Sequence, residues 1–347
     1  MVVRYCLNVR MDISSALSAD TTIMHYAFCI MNYKQRKVHT MSKNIFLFSG
    51  QGSQYVGMAK ELYDNFEGAK AVFDKAAEVL GYDIADIAFN GPEEELNKTL
   101  NSQPAIMACS LAAFEAAKAS GITFDGVAGH SLGEYAAMVA SGVVTLDDGF
   151  KLIKARAAAM QKAAEANSGA MYAIIGLDAA EVEKVCEEVE GYVVPVNYNS
   201  AVQTVIAGET DACERAAAVF TEMKKRAIKL GVSSAFHSKL MQSAADEFIE
   251  AAKGVTFNEP TVEFYSNVLG EKLTDFSDMP TMLSKHIVSP VKFTSELAQM
   301  EKAGYENFIE LGPNKVLTGL VKKTLKGKTA LNIENTETLS KAVEALG

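Results

Sequence analysis

Little in this chain suits cross-linking or metal binding. Its five cysteines, at positions 6, 29, 109, 186 and 213, form no C-x-x-C pair and have no histidine-rich surroundings. An odd, scattered set of this kind excludes a disulfide framework and a zinc site, and it points to a reducing compartment. A cytoplasmic protein with no bound metal is therefore expected. Long apolar runs are missing too: none approaches the ~20 residues of a membrane-spanning helix, so no membrane span is expected. Positive charge is in deficit. Lys and Arg number 33 against 43 Asp and Glu, a net charge of -10, the opposite of the basic footprint of a nucleic-acid binder.

What remains is an ordinary globular composition, 49% hydrophobic and 22% charged over 347 residues, enough for one large domain or two unequal ones. The first forty residues differ from the rest. They carry five basic residues against two acids, a balance of +3 that leaves -13 for residues 41–347. Their apolar stretch, 23–31, is broken by His25 and lacks a small-residue cleavage site, which argues against a secretory signal; few acids and scattered Arg and Ser fit a mitochondrial transit peptide better. The simpler reading starts from Met41, which opens Met-Ser-Lys-Asn-Ile-Phe-Leu-Phe just before the first expected strand. Residues 1–40 are expected to be disordered and without function.

An apolar run at 44–49 ends in Gly50-Gln51-Gly52-Ser53-Gln54, the pattern of a buried strand opening into a tight loop. A helix is expected from about residue 59, another over 102–120, and a strand over 124–129. Leu132, Tyr135, Ala136 and Val139 then repeat at i, i+3, i+4 and i+7, which predicts an amphipathic helix. Strands alternating with helices imply a parallel α/β sheet. The stretch 168–233 has its own order: strand 170–177, helix 179–190, strands 192–198 and 203–207, helix 211–224, strand 226–232. That βαββαβ order is the ferredoxin-like pattern, so 168–233 reads as a small domain inserted into a large one made of 41–167 and 234–347. Helices around 236–252 and 314–325 return the chain to the large domain.

Gly129-His130-Ser131-Leu132-Gly133 fits G-x-S-x-G between a strand and a helix, the setting of a nucleophile elbow. The glycines would let the backbone turn sharply and leave Ser131 at a helix N-terminus, where the dipole favours developing negative charge. The same residues also match the capping box, Ser131 to Glu134, so Ser131 is either a nucleophile or a helix cap. A serine hydroxyl needs a base. Beyond residue 40 the histidines are His130, His237 and His286. His130 adjoins the serine at a strand end and should point away from it; His237, in Ser233-Ser-Ala-Phe-His-Ser-Lys, follows the inserted domain and is the choice for the base, against a purely structural role. Arg156 stands among small alanines, from where its planar fork can turn inward to a carboxylate or outward to solvent. The 50–54 loop lacks both the G-K-[ST] ending of a P-loop and the G-x-G-x-x-G of a dinucleotide site. It can instead supply a backbone N–H to an oxyanion hole.

From Met41 onward the chain resembles the malonyl-CoA:acyl carrier protein transacylases of bacterial type II fatty-acid synthesis and the related acyltransferase domains of polyketide synthases. The motifs occur in order: Gly-Gln-Gly-Ser-Gln at 50–54, Gly-His-Ser-Leu-Gly-Glu at 129–134, Arg156, Ala-Phe-His at 235–237, and Leu-Gly-Pro-Asn-Lys-Val-Leu at 311–317. The resemblance implies an α/β-hydrolase-like large domain with an inserted ferredoxin-like domain. It implies that Ser131 is the nucleophile, His237 the base, the backbones of Gln51 and Leu132 the oxyanion donors, and Arg156 the clamp on a malonyl carboxylate. Phe236, before the base, accompanies malonyl rather than methylmalonyl choice in the polyketide relatives. The implied substrates are malonyl-CoA and the phosphopantetheine arm of an acyl carrier protein, with no cofactor and a monomeric enzyme. Two positions depart from the family pattern. His286 stands where glutamine or asparagine is common, its backbone carbonyl being the group expected to orient the base, and Tyr172 replaces a small residue expected near the mouth of the acyl pocket. An acidic carrier should dock on basic residues near the cleft, with Lys224, Lys225, Arg226 and Lys239 as candidates. The alternatives are a trans-acting polyketide acyltransferase, a G-x-S-x-G esterase or thioesterase, and a carrier-binding scaffold without catalysis.

Overall fold

Ile45, Phe46, Leu47 and Phe48 have no exposed surface, the mark of a strand covered on both faces rather than one alternating between core and water. The computed structural model describes residues 42–232 and 234–346, so the expectation of disorder for residues 1–40 lies outside the described residues. In chain order the strands are β1 (Lys43–Phe48), β2 (Gly126–Gly129), β3 (Ala170–Ile175), β4 (Val193–Ser200), β5 (Gln203–Gly208), β6 (Arg226–Lys229), β7 (Glu263–Ser266), β8 (Glu271–Lys272), β9 (Tyr305–Leu311) and β10 (Thr329–Ile333). The helices are α1 (Lys60–Asn65), α2 (Glu67–Leu80), α3 (Ile84–Asn90), α4 (Glu93–Asn97), α5 (Thr99–Ala119), α6 (Gly133–Ser141), α7 (Leu146–Ala166), α8 (Ala179–Glu188), α9 (Thr210–Glu222), α10 (Gln242–Ala252), α11 (Met279–Val288), α12 (Phe293–Lys302), α13 (Val316–Thr324) and α14 (Thr336–Leu346).

The fold is mixed α/β. Six strands make one sheet in the order β10-β9-β1-β2-β7-β8, parallel throughout except for β8 at the edge. Parallel neighbours need crossover connections, and those crossovers bring helices onto both faces. Strand alternation divides the core accordingly: Phe46 and Phe48 join one apolar cluster, while Ile45 and Leu47 join another on the opposite face. Register places the site. Phe48 pairs with both Gly129 and Leu311, so β1, β2 and β9 end level and the three loops that follow leave the sheet side by side. Ligand sites of open parallel sheets gather at this carboxyl edge.

Strands β3 to β6 form a separate antiparallel sheet in the order β4-β5-β3-β6. Helices α8 and α9 close a small apolar cluster against it, built on Ile174, Val182, Ile206 and Phe220. A short seam joins the two sheets. Tyr198 N–H donates to Val291 O at 2.9 Å, Val291 N–H donates to Val196 O at 2.8 Å, and Thr294 Oγ1 donates to Tyr198 O at 2.8 Å.

Three expectations change. Helix α6 is not amphipathic, since Gly133 through Met138 are all buried; it lies between the sheet and neighbouring helices, and its polar Glu134 is spent inside. Instead of a helix from 236, a 3-10 turn at Lys239–Met241 precedes α10, so His237 sits in the loop before them. Tyr172 lies on the face of β3 turned away from the large cluster. It packs with Ile174 and Phe220 in the small cluster, while its neighbour Met171, on the other face of β3, joins the large cluster that contains Phe236.

The Leu311-Gly312-Pro313-Asn314 turn is fixed from within. Buried Glu310 accepts from Leu317 N–H at 3.0 Å and Thr318 N–H at 2.7 Å, the first turn of α13, and from Ser49 Oγ at 3.3 Å. A carboxylate at a helix N-terminus satisfies free donors and meets the positive end of the dipole. Gly312 has φ 128°, and a β-carbon there would lie 2.5 Å from Ser110 Oγ, so only glycine fits. Replacing Glu310 by Ala strands two buried N–H groups and is expected to lower stability by about 2–4 kcal/mol in urea unfolding. A loss below about 0.5 kcal/mol would refute this account of the turn.

Candidate active site

Ser131 has φ 54°, a left-handed conformation that costs a non-glycine residue roughly 1–3 kcal/mol. The serine itself makes the bend, and the flanking glycines serve close packing instead of the turn. A β-carbon on Gly129 would lie 2.0 Å from Gly133 C, and one on Gly133 would lie 2.2 Å from Phe48 O. Gly50 is held the same way, since a β-carbon there would meet His130 O at 2.7 Å. That contact lays the Gly50-Gln51 loop against the elbow. Among the described residues, the backbone N–H groups of Gln51 and Leu132 donate no hydrogen bond; the Gln51 side chain donates to Thr99 Oγ1 at 3.5 Å.

The Ser131 hydroxyl lies 2.8 Å from His237 Nε2. On the other side of that ring, Nδ1 is 3.1 Å from His286 O and 3.1 Å from Ser289 O. Two carbonyls can only accept, so Nδ1 carries the proton and Nε2 offers its lone pair to Ser131. The capping-box reading falls here: Ser131 Oγ is engaged with His237 and Arg156, and Glu134 Oε1 accepts from Asn267 N–H at 2.5 Å. His130 turns away, as its place beside the serine predicts, with Nε2 2.8 Å from Asn199 Oδ1 on β4 and its ring against Phe293.

Arg156 is only 1% exposed, which overturns the reading as a solvated helix face. Its Nη1 donates to Gln103 Oε1 at 2.7 Å, its Nη2 donates to Ser131 Oγ at 3.1 Å, and the guanidinium lies 5.4 Å from the centre of the Tyr135 ring. Nε has no partner among the described residues. A buried cation with its Nε–H unpartnered and an Nη2 donor lent to a neutral hydroxyl is poised for an anion. Phe236, the residue before His237, and Thr99, which meets the Gln51 side chain, border a cavity of about 280 Å³ that Gln161, Ser234 and Val232 also line.

Burial governs the titration of the site. Desolvation, with Arg156 adding repulsion, holds His237 down to about 3, so its ring is neutral at ordinary pH. His286 and His130 are lowered, again chiefly by burial. Glu134 is pushed up to about 8, and Glu296 is raised well above the carboxylate range by burial and by the nearby Glu134. The basic candidates for docking divide: exposed Lys239 lies two residues past His237, whereas Lys224 and Lys225 precede β6 and Arg226 begins it, with Lys225 Nζ on Gly176 O at 2.7 Å.

Sequence reading missed Gln103, Asn267, Ser289 and Glu296. Gln103 is one of several polar residues in α5, and Asn267 follows β7 with no spacing relation to the elbow. Only the fold brings them in.

The acyl transferase domain family matches residues 45–342. The malonyl CoA-acyl carrier protein transacylase of Bacillus subtilis is 41% identical over 310 residues, covering 88% of this chain and 98% of its own length. Among solved structures, the malonyl CoA-acyl carrier protein transacylase of Clostridium perfringens superposes with a TM-score of 0.84 at 39% identity, covering 88% of this chain and 97% of its own. A malonyl-transacylase solved in complex with a type II polyketide synthase acyl-carrier protein gives a TM-score of 0.84 at 37% identity, covering 88% and 100%.

With His237 neutral down to about 3, the reaction of Ser131 with a neutral acylating agent such as p-nitrophenyl acetate is expected to hold level from about pH 7 to about pH 5. Stopped-flow absorbance checks this. A fall centred near about pH 6.5, the ordinary imidazole value, would show that the ring is solvated and the burial argument wrong.

Proposed function

Since the chain belongs to the acyl transferase domain family, we propose that it moves a malonyl group from malonyl-CoA to the phosphopantetheine thiol of an acyl carrier protein, through a malonyl ester on Ser131. The activity is that of an acyl-carrier-protein S-malonyltransferase supplying fatty-acid synthesis. One observation carries the reading: a single hydroxyl lies 2.8 Å from an unprotonated imidazole nitrogen and 3.1 Å from a buried guanidinium. The first supplies a nucleophile with its base, and the second supplies a reason to prefer a carboxylated acyl group. In architectural terms the six-stranded sheet is the α/β-hydrolase-like large domain and residues 168–233 are the ferredoxin-like insert, which supports a cleft at the seam between them.

The malonyl carboxylate takes the Arg156 donors, releasing Ser131 Oγ from Nη2. Oγ attacks the thioester carbonyl as its proton passes to His237 Nε2, and the oxyanion rests on the N–H groups of Gln51 and Leu132. Collapse breaks the C–S bond, and coenzyme A leaves with the proton from His237. The carrier thiol then repeats the sequence in reverse: His237 takes the thiol proton, sulfur attacks the ester, and Ser131 recovers its hydrogen. The His286 carbonyl keeps Nδ1–H aimed throughout. An esterase triad would set a carboxylate against Nδ1; here two backbone carbonyls occupy that place. Lys239, beside the base and over the Tyr192 ring at 4.0 Å, is the basic residue best placed to meet an acidic carrier.

Incubation with malonyl-CoA and peptide mass spectrometry should find a malonyl adduct on Ser131, absent from Ser131→Ala. Arg156→Ala should lower malonyl transfer by about 10²-fold or more while acetyl transfer holds or rises; an unchanged preference would reject the clamp. For docking, Lys239→Glu should raise the KM for carrier several-fold and leave that for malonyl-CoA in place. Equal rises in both would dispose of the idea.

A further inference from the structure

Asn267 bonds to the elbow backbone at Gly129 and Ser131 without bonding to the Ser131 hydroxyl or to the His237 ring. It is wholly buried and directly follows β7, the strand beside β2. Its Oδ1 accepts from Ser131 N–H at 2.7 Å and from His286 Nε2–H at 3.2 Å. Its Nδ2 donates to Gly129 O at 2.7 Å and to Glu296 Oε1 at 2.8 Å. A primary amide has two lone pairs and two N–H groups, and all four are filled. The orientation is thereby settled, because turning the amide over would set N–H groups against Ser131 and His286 and oxygen against the Gly129 carbonyl.

These bonds close a ring. Ser131 N–H and His286 Nε2–H meet on Asn267 Oδ1; the His286 carbonyl accepts from His237 Nδ1–H; His237 Nε2 accepts from Ser131 Oγ. One residue's backbone and its own hydroxyl are therefore tied through the base and back. We propose that Asn267 is the positioning residue of this site, fixing the left-handed Ser131 backbone and the His286 carbonyl in one register so that nucleophile and base meet. The idea rests on the acyl-transfer reading above. His286 extends the device: Nε2–H points to Asn267, and bare Nδ1 faces Glu134 Oε2 at 3.4 Å. Glu134 is raised to about 8 by burial, so a neutral acid faces a neutral ring. The groups around Asn267 are Glu134 on α6, Glu296 on α12 and His286 on α11, with His237 and Arg156 beyond them.

The test measures the single-turnover rate of Ser131 acylation by malonyl-CoA, by rapid quench and intact mass spectrometry, on full-length protein. Asn267→Ala should lose roughly 10²-fold in rate, the scale of a misplaced reacting group, with the KM for malonyl-CoA within about 2-fold. Asn267→Asp gives a readout that a structural role would not move. Its carboxyl replaces the amide only when protonated, donating where Nδ2 does, and burial beside Glu134 and Glu296 favours that form. Its rate relative to wild type should fall as pH rises from about 6 to about 9, a ratio that divides out the titration of Glu134 common to both proteins. Should these variants not fold, His286→Leu keeps the carbonyl but removes the Nε2–H and should slow acylation about 10-fold, with His286→Gln, whose amide N–H reaches the same oxygen, restoring most of it. Wild-type rates per folded molecule in Asn267→Ala or His286→Leu, or an Asn267→Asp profile parallel to wild type, overturn the positioning role alone. A wild-type protein that forms no adduct at Ser131 overturns the acyl-transfer reading and this one with it.

Discussion

The whole site hangs on a serine held with a left-handed backbone at the end of a buried strand. Ser131 pays for that conformation, and the surroundings leave it no alternative: Gly129 and Gly133 are packed too closely for a β-carbon, and Asn267 takes the N–H that the bend frees. The bend turns the hydroxyl out of the sheet edge toward His237 and Arg156. In a relaxed backbone the same hydroxyl would point elsewhere, and neither partner would have a function.

Electrostatics follow from dryness. Arg156, Glu134, Glu296, His237 and His286 are all buried, and five ionisable groups cannot all be charged in so small a volume. The structure resolves this by lowering the histidines and raising the carboxyls, leaving Arg156 as the group that keeps its charge. A neutral imidazole and a lone cation side by side suit the proposed attack on a carboxylated thioester, and both are products of the same burial.

Much of this could be read in the sequence. Apolar runs gave the strands because strands of a parallel sheet are buried on both sides, and the strand-loop-helix setting of Gly129 to Gly133 marked the elbow. The βαββαβ rhythm of 168–233 reappears as a four-stranded sheet, with strand ends shifted by a few residues. What stayed hidden depends on tertiary placement. Helix α6 carries an amphipathic pattern yet is covered all round by its neighbours. Arg156 was ambiguous because flanking alanines permit either orientation, and only the packing of α5 and α7 decides it. Asn267 and Gln103 had no signal, since nothing in their local spacing records that β7 ends beside β2 or that one turn of α5 faces α7.

The seam at Val291 carries a mechanical consequence. Two backbone bonds, the Thr294 hydroxyl and the His130–Asn199 pair stitch the four-stranded sheet to the body of the molecule, and Val291 stands two residues past the Ser289 carbonyl that faces the base. Prising the halves apart along this line would tear four hydrogen bonds together and drag the imidazole off its serine. Any opening along this seam is thereby coupled to the placement of the base.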